Sequence, residues 1–313
     1  MSEYTHKLQA IGDHSMAQKM TVLEKHGFQG ISRWPSFKKM EREDAAAEFF
    51  LHGFCPEQPV IKKTDRITAF GSCFAGNVSR YLHQRGYEVN AHHWKHANSD
   101  LIRIDEIMVH TPSLLAQFEW AFNGKPLSNV IVDNKSEELK SYHEEDEMRD
   151  IIVNSDVFIV TYGLTEAWYD KQEECYLWKF VPHKKLDSSR YVNKTIPYAE
   201  NRENIEKIYR LIRDNRPDAR IVFTLSPIPL LGTYSGKAIY PANEVSKSRL
   251  RVALDEFCSE WIDDKNLFYF PSYELVKYFL DAPWKDDNRH ITEEAVHEIM
   301  TLFEANFCEN DTQ

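Results

Sequence analysis

The chain has 313 residues, 42% hydrophobic and 28% charged, with a formal net charge of −11. This composition belongs to an ordinary folded protein and excludes disordered and collagen-like classes. The negative charge disfavours a nucleic-acid backbone or an anionic membrane as the main partner, and no run of eighteen apolar residues is present to span a bilayer.

Length alone suggests about two domains, although one α/β layer structure with insertions also reaches this size. The first 22 residues are polar, with neither an apolar leader core nor a small-residue cleavage site, which predicts a cytoplasmic address. The cysteines (Cys55, Cys73, Cys175, Cys258, Cys308) are odd in number and scattered, with no CxxC pair. That pattern argues against a disulfide framework and a structural zinc site.

Residues 1–60 show weak periodicity and the boundary signals Trp34-Pro35 and Cys55-Pro56, as expected of an N-terminal arm packed on a main domain at 61–313. From Arg66 the pattern sharpens. Residues 66–71 read as a short strand, Val78, Tyr81 and Leu82 recur at helical spacing up to Gly86, and 87–90 read as the next strand. Thr111-Pro112 reads as an N-cap followed by proline, opening a helix whose face carries Leu114, Leu115, Phe118 and Phe122. Residues 156–162 form a continuous apolar run, the signature of a parallel strand covered on both sides. Ile205, Ile208, Tyr209 and Ile212 predict a helix, and 220–225 another buried strand. Leu250, Leu254, Phe257, Cys258 and Trp261 mark a long helix, 267–270 a fifth strand, and 292–307 the last helix, with Val296, Ile299 and Phe303 inward.

Alternating strands and helices predict a three-layer α/β/α fold around a parallel sheet of about five strands. Two insertions interrupt it, near 124–150 and 168–198. The acid-rich stretch 135–149 reads as a solvated surface. The stretch 168–181 reads as a β-hairpin, either over the site or at an edge.

In parallel α/β sheets ligands bind beyond the carboxyl ends of the strands. Four segments fall there: Gly71-Ser72-Cys73, Tyr162 to Glu166, Ser226 to Pro229, and Asp286 to His290. A nucleophile at a helix N-terminus sees free N–H groups and a favourable dipole, which suits Cys73 as a thiolate or Ser72 as a hydroxyl. The bland alternative is a buried small thiol beside a capping serine. Asp287 and His290, three apart in a turn, form a base–orienter pair or else a solvated acidic turn with a surface histidine. His92, His93 and His96 look metal-like, but no carboxylate stands at a completing offset, so no metal is assigned. Asn243 and Lys247, with Ser246, read from composition as a capped, solvated first helical turn.

The string Phe70-Gly71-Ser72-Cys73-Phe74-Ala75 resembles the motif that names the GSCFA family of the SGNH hydrolase superfamily. The resemblance runs over about 60–305 and includes Gly163-Leu164-Thr165-Glu166-Ala167-Trp168, Leu225-Ser226-Pro227, Ser246-Lys247 with Leu250-Arg251, residues 269–274, and Asp287 to His290. It implies an SGNH/flavodoxin-like sheet and an esterase or O-acyltransferase site acting on an acylated carbohydrate or glycan precursor. Aligned on the glycine, Cys73 stands on the superfamily's catalytic serine, with Ser72 as the alternative nucleophile. His290 then serves as base and Asp287 as its orienter. The superfamily's oxyanion asparagine is absent, and the N–H groups of Cys73 and Gly163 with the Thr165 hydroxyl stand in. Glu166, Ser226, Asn243 and Lys247 are assigned to the substrate side. No cofactor is required, and acyl-CoA is compatible as a co-substrate. Two other classes remain: a non-catalytic carbohydrate-binding module on the same fold, and a phosphate-binding α/β domain using the helix N-terminus at Cys73, although no GxxxxGK[ST] loop is present.

Overall fold

The computed structural model describes residues 32–90, 109–125, 130–132, 135–137, 145–177 and 186–309. The chain separates into two compact units, Met1–Phe50 and Leu51–Gln313. Within the first, one short helical turn, Phe37–Met40, is described in full.

The second unit is built on a four-stranded sheet. β1 (Ile67–Gly71), β4 (Val157–Tyr162), β8 (Arg220–Leu225) and β9 (Leu267–Phe270) lie side by side in that order, and every pair is parallel. The two central strands are buried along almost their whole length, which is why they read as unbroken apolar runs. The expected strand at 87–90 is reduced to one parallel bridge, Ile67 to Val89. Beside it, Asn90 donates its side-chain amide to the Thr68 hydroxyl at 3.0 Å. Counting that bridge as second, the spatial order is 2-1-3-4-5, the flavodoxin-like winding.

Helices cover both faces. α2 (Thr111–Asn123), α4 (Tyr198–Asn215) and α5 (Ile239–Glu260) pack Phe118, Ile208 and Phe257 against Phe158, Tyr162 and Phe223 on one face. α1 (Cys73–Gln84) and α6 (Glu293–Phe307) cover the other, where the Phe270 ring meets Phe303 edge-on at 5.1 Å. α4 shows the local logic: Ile205, Ile208, Tyr209 and Ile212 point inward, while Glu203–Lys207 and Glu206–Arg210 pair at i,i+4 outside, each at 2.7 Å. Another helix, α3 (Glu145–Val153), stands at the end of the stretch expected to be plain solvated surface. Its Ile152 is fully buried.

Two helix starts differ from expectation. The cap of α2 is His110 rather than Thr111: its Nδ1 accepts from the Ser113 amide at 3.1 Å. Thr111 instead donates its hydroxyl to Asn201 of α4 at 2.9 Å. α5 begins at Ile239, so Asn243, Ser246 and Lys247 lie a turn or more inside it, and all three are buried.

Of the insertions, β2 (Val130–Val132) and β3 (Lys135–Glu137) form an antiparallel pair. β5 (Glu166–Asp170) pairs antiparallel with β6 (Cys175–Tyr176) and with β7 (Tyr191–Thr195), a separate sheet that begins directly beyond β4. Among the described residues no helix is long and apolar enough to cross a membrane. His92, His93 and His96 lie outside the described residues.

Candidate active site

The turn after β1 is set by Gly71. Its φ is +111°, and a Cβ there would lie 2.0 Å from the Thr161 carbonyl oxygen, so only glycine lets β1 run this close to β4 while turning into α1. Ser72 follows in extended geometry as the N-cap of α1, its Oγ accepting from the Phe74 amide at 3.2 Å. The same hydroxyl shares a 2.8 Å hydrogen bond with Ser226 Oγ, which also accepts from the Ile228 amide at 3.2 Å. Both serines are buried. Cys73 is the first helical residue and is partly buried. Ser72 is therefore tied to cap and neighbouring loop, and Cys73 belongs to the first turn of α1, at the positive end of its dipole.

The loop after β4 is equally constrained. The Gly163 amide donates to the Val109 carbonyl at 2.9 Å, and a Cβ on Gly163 would meet Val109 Cγ2 at 2.6 Å. Thr165 donates its amide to Ser246 Oγ at 2.8 Å, and its hydroxyl lies 3.2 Å from the same oxygen. The two donors expected there for an oxyanion are thus directed into the fold, because each has a buried acceptor within reach. Glu166 accepts from the Thr233 hydroxyl at 2.5 Å and the Tyr234 amide at 2.9 Å, pinning the loop between β8 and α5. Trp168 meets the Tyr234 ring edge-on at 4.9 Å, so the β5 sheet leans on that loop.

Lys247 knots these loops together. Its buried ammonium donates to the carbonyls of Gly163, Ser226 and Ile228 at 2.7–2.8 Å. Burial pushes its amine down to about 7. Three carbonyls at these distances nevertheless call for three N–H groups, which only the charged form carries. Asn243 works alongside it, accepting from the Leu230 amide at 3.1 Å. Ser246, Lys247 and Asn243 therefore shape the walls of the site from behind.

The fourth segment is the turn before α6. Asp287 Oδ1 accepts from the His290 amide at 2.9 Å and the Arg289 amide at 3.1 Å, while Oδ2 lies 2.5 Å from His290 Nδ1. Asn288 takes a left-handed conformation, φ +53°, to close the turn. The hydrogen bond from His290 holds the Asp287 carboxyl well below its usual range, at about 2. Arg289 Nη1 lies 3.2 Å from His290 Nε2, and its Nε donates to the Pro229 carbonyl at 3.2 Å. A guanidinium can only donate, so these neighbours assign the proton to Nδ1 and the lone pair to Nε2.

Arg289 is the residue that sequence reasoning passed over. It lines a hollow of about 20 Å³ together with Ser72, Gly163 and Ser226, which brings three of the four strand-end segments and the fourth's arginine to one place. It also lines a larger cleft of about 380 Å³ alongside Asp287. Its signal was present in the sequence as a cation directly beside the candidate base, in an otherwise acidic turn.

The GSCFA family model matches residues 66–303, most of the chain. The chain belongs to the GSCFA family. No curated protein matches it. In this GSCFA protein the matched region begins one residue before β1 and ends within α6, so it takes in the whole sheet and every segment of the site.

Proposed function

We propose that this GSCFA protein is an SGNH-type acyl-transfer enzyme, an esterase or O-acyltransferase for an acylated carbohydrate or glycan precursor, working through a covalent acyl-enzyme. The observation that carries the reading is the Asp287–His290 pair, oriented through Nδ1 and with Nε2 kept as a lone pair, in a turn whose Arg289 reaches the hollow floored by Ser72. An imidazole so prepared is a general base.

The thiol of Cys73 loses its proton to His290 Nε2 as its sulfur bonds to the ester carbonyl carbon. The tetrahedral adduct then expels the alcohol, which takes the proton from His290, leaving a thioester on Cys73. Water or a sugar hydroxyl next attacks the thioester, giving its proton to His290, and the Cys73 sulfur departs and is reprotonated. Arg289 must release Nε2 before the first step. Arg289 lines the hollow, and in this reading its guanidinium then turns to face the developing oxyanion, the role that the Gly163 and Thr165 donors do not serve.

An aryl acetate provides the test. A burst of phenol equal to one enzyme equivalent is expected, because acylation needs no specific acceptor. Cys73→Ala should abolish it, and Asp287→Asn should slow it by orders of magnitude as the imidazole loses its tautomer and counter-charge. Rapid turnover afterwards identifies an esterase; a stalled thioester released by added sugar identifies a transferase. No burst with aryl esters or acyl thioesters, together with saccharide binding that Cys73→Ala leaves intact, would instead identify a binding module.

A further inference from the structure

The 380 Å³ cleft beside the candidate base lies at the lower end of the range for small-molecule pockets, about 300–1,000 Å³. It sits between the loop after β8, the first turns of α5, residues 273–277 after β9, and the turn 284–289. Pro229, Leu230, Ile239, Val276 and Trp284 give its wall a carbon surface. Pro229, Leu230 and Arg289 also line the small hollow that contains Ser72, so the cleft and that hollow share a wall.

Its polar groups are already engaged with one another. Asn243 accepts from the Leu230 amide and donates to Glu244 at 3.4 Å. Glu244 accepts from Lys277 at 2.5 Å and from the Tyr273 hydroxyl at 3.3 Å. Asn288 donates to the Tyr240 hydroxyl at 2.9 Å. A sugar in this space would have to break such pairs to satisfy its own hydroxyls, exchanging existing hydrogen bonds for new ones with little net gain. A hydrocarbon breaks none and gains by burial.

We propose that this cleft is the acyl-chain subsite of the same centre and takes a straight hydrocarbon tail longer than acetyl. The proposal rests on the acyl-transfer reading above. The acceptor then approaches from outside this cleft, and the acyl donor is an amphiphile: an ester or thioester head at Cys73 with an alkyl tail along Leu230, Val276 and Trp284.

The experiment uses one aryl leaving group with acyl chains from acetyl to decanoyl, and in parallel the binding of straight-chain alcohols to the same protein by calorimetry. Burial of each methylene is worth about 0.8 kcal/mol, so kcat/KM for acylation should rise roughly fourfold per methylene until the cleft is full, and alcohol affinity should rise in step. Ile239→Trp adds bulk to the cleft wall at a position one-third exposed and should cut the gain short in both series. If acylation proceeds but is flat or falls with chain length, and alcohols do not bind, the subsite is overturned while the acyl-transfer reading stands. If no ester acylates the protein but alcohols bind with the expected increments, the acyl-transfer reading fails and the apolar site stands.

Discussion

At the scale of single residues, adjacent side chains in the motif Gly71-Ser72-Cys73 have opposite roles. Ser72 spends its hydroxyl on the α1 cap and on Ser226, and is buried. Cys73, one position further, keeps partial exposure at the helix end that favours an anion. Three of the other thiols are placed differently. Burial pushes Cys55 up to about 11 and Cys258 and Cys308 up to about 12. Timed alkylation near neutral pH with peptide mass spectrometry should therefore label Cys73 well ahead of these three. Labelling of Cys73 no faster than Cys258, or only after unfolding, would count against a catalytic thiol. The Asp287 carboxyl has its own pH sign: its folded value of about 2 lies below the unfolded one, so its contribution is complete above about 4 and fades only as pH falls towards 2. Asp287 therefore stays ionised throughout the range in which the protein is folded, and the acid limb expected of the proposed acyl transfer lies with another group.

At the scale of elements, α2 is held by a cap that also titrates. His110 is fully buried, accepts from the Ser113 amide, and burial lowers it to about 4 against an ordinary value near 6.5. Above 6.5 neither state binds the proton. Between 6.5 and 4 the unfolded chain binds a proton that the folded chain refuses, so stability falls as pH falls, by roughly 3 kcal/mol across the window. His110→Asn keeps a capping oxygen and removes the titration. Denaturant midpoints of the two proteins should converge on going from pH 7.5 to pH 5, as wild type loses more. Equal pH dependence in both would remove His110 from the account. This cap was not legible in the sequence, where Thr111-Pro112 is the stronger local signal. Thr111 is drawn instead to Asn201, ninety positions away in the chain, a contact that no local pattern encodes. Likewise, Lys247 in a polar stretch reads as solvated, and only the return of three loop carbonyls onto it makes it interior.

At the scale of the whole molecule, the winding of the sheet and the gathering of the site at its carboxyl ends were legible, because buried parallel strands announce themselves as apolar runs and the loops after them follow by position. The strand expected at 87–90 is reduced among the described residues to the Val89 bridge, because a β-propensity run says nothing of how far its partner extends. The candidate residues of the site were legible, but the destinations of their donors were not: Val109 and Ser246 take the Gly163 and Thr165 groups by long-range approach. Under the proposed function, these converging loops make Cys73 carry an acyl group. Acid quench during the burst, followed by peptide mass spectrometry, tests it most directly. One acetyl is expected on the peptide containing Cys73, labile to hydroxylamine as a thioester is, and missing from Cys73→Ala. An acetyl on Ser72, or wild-type protein that never acquires one, would contradict it.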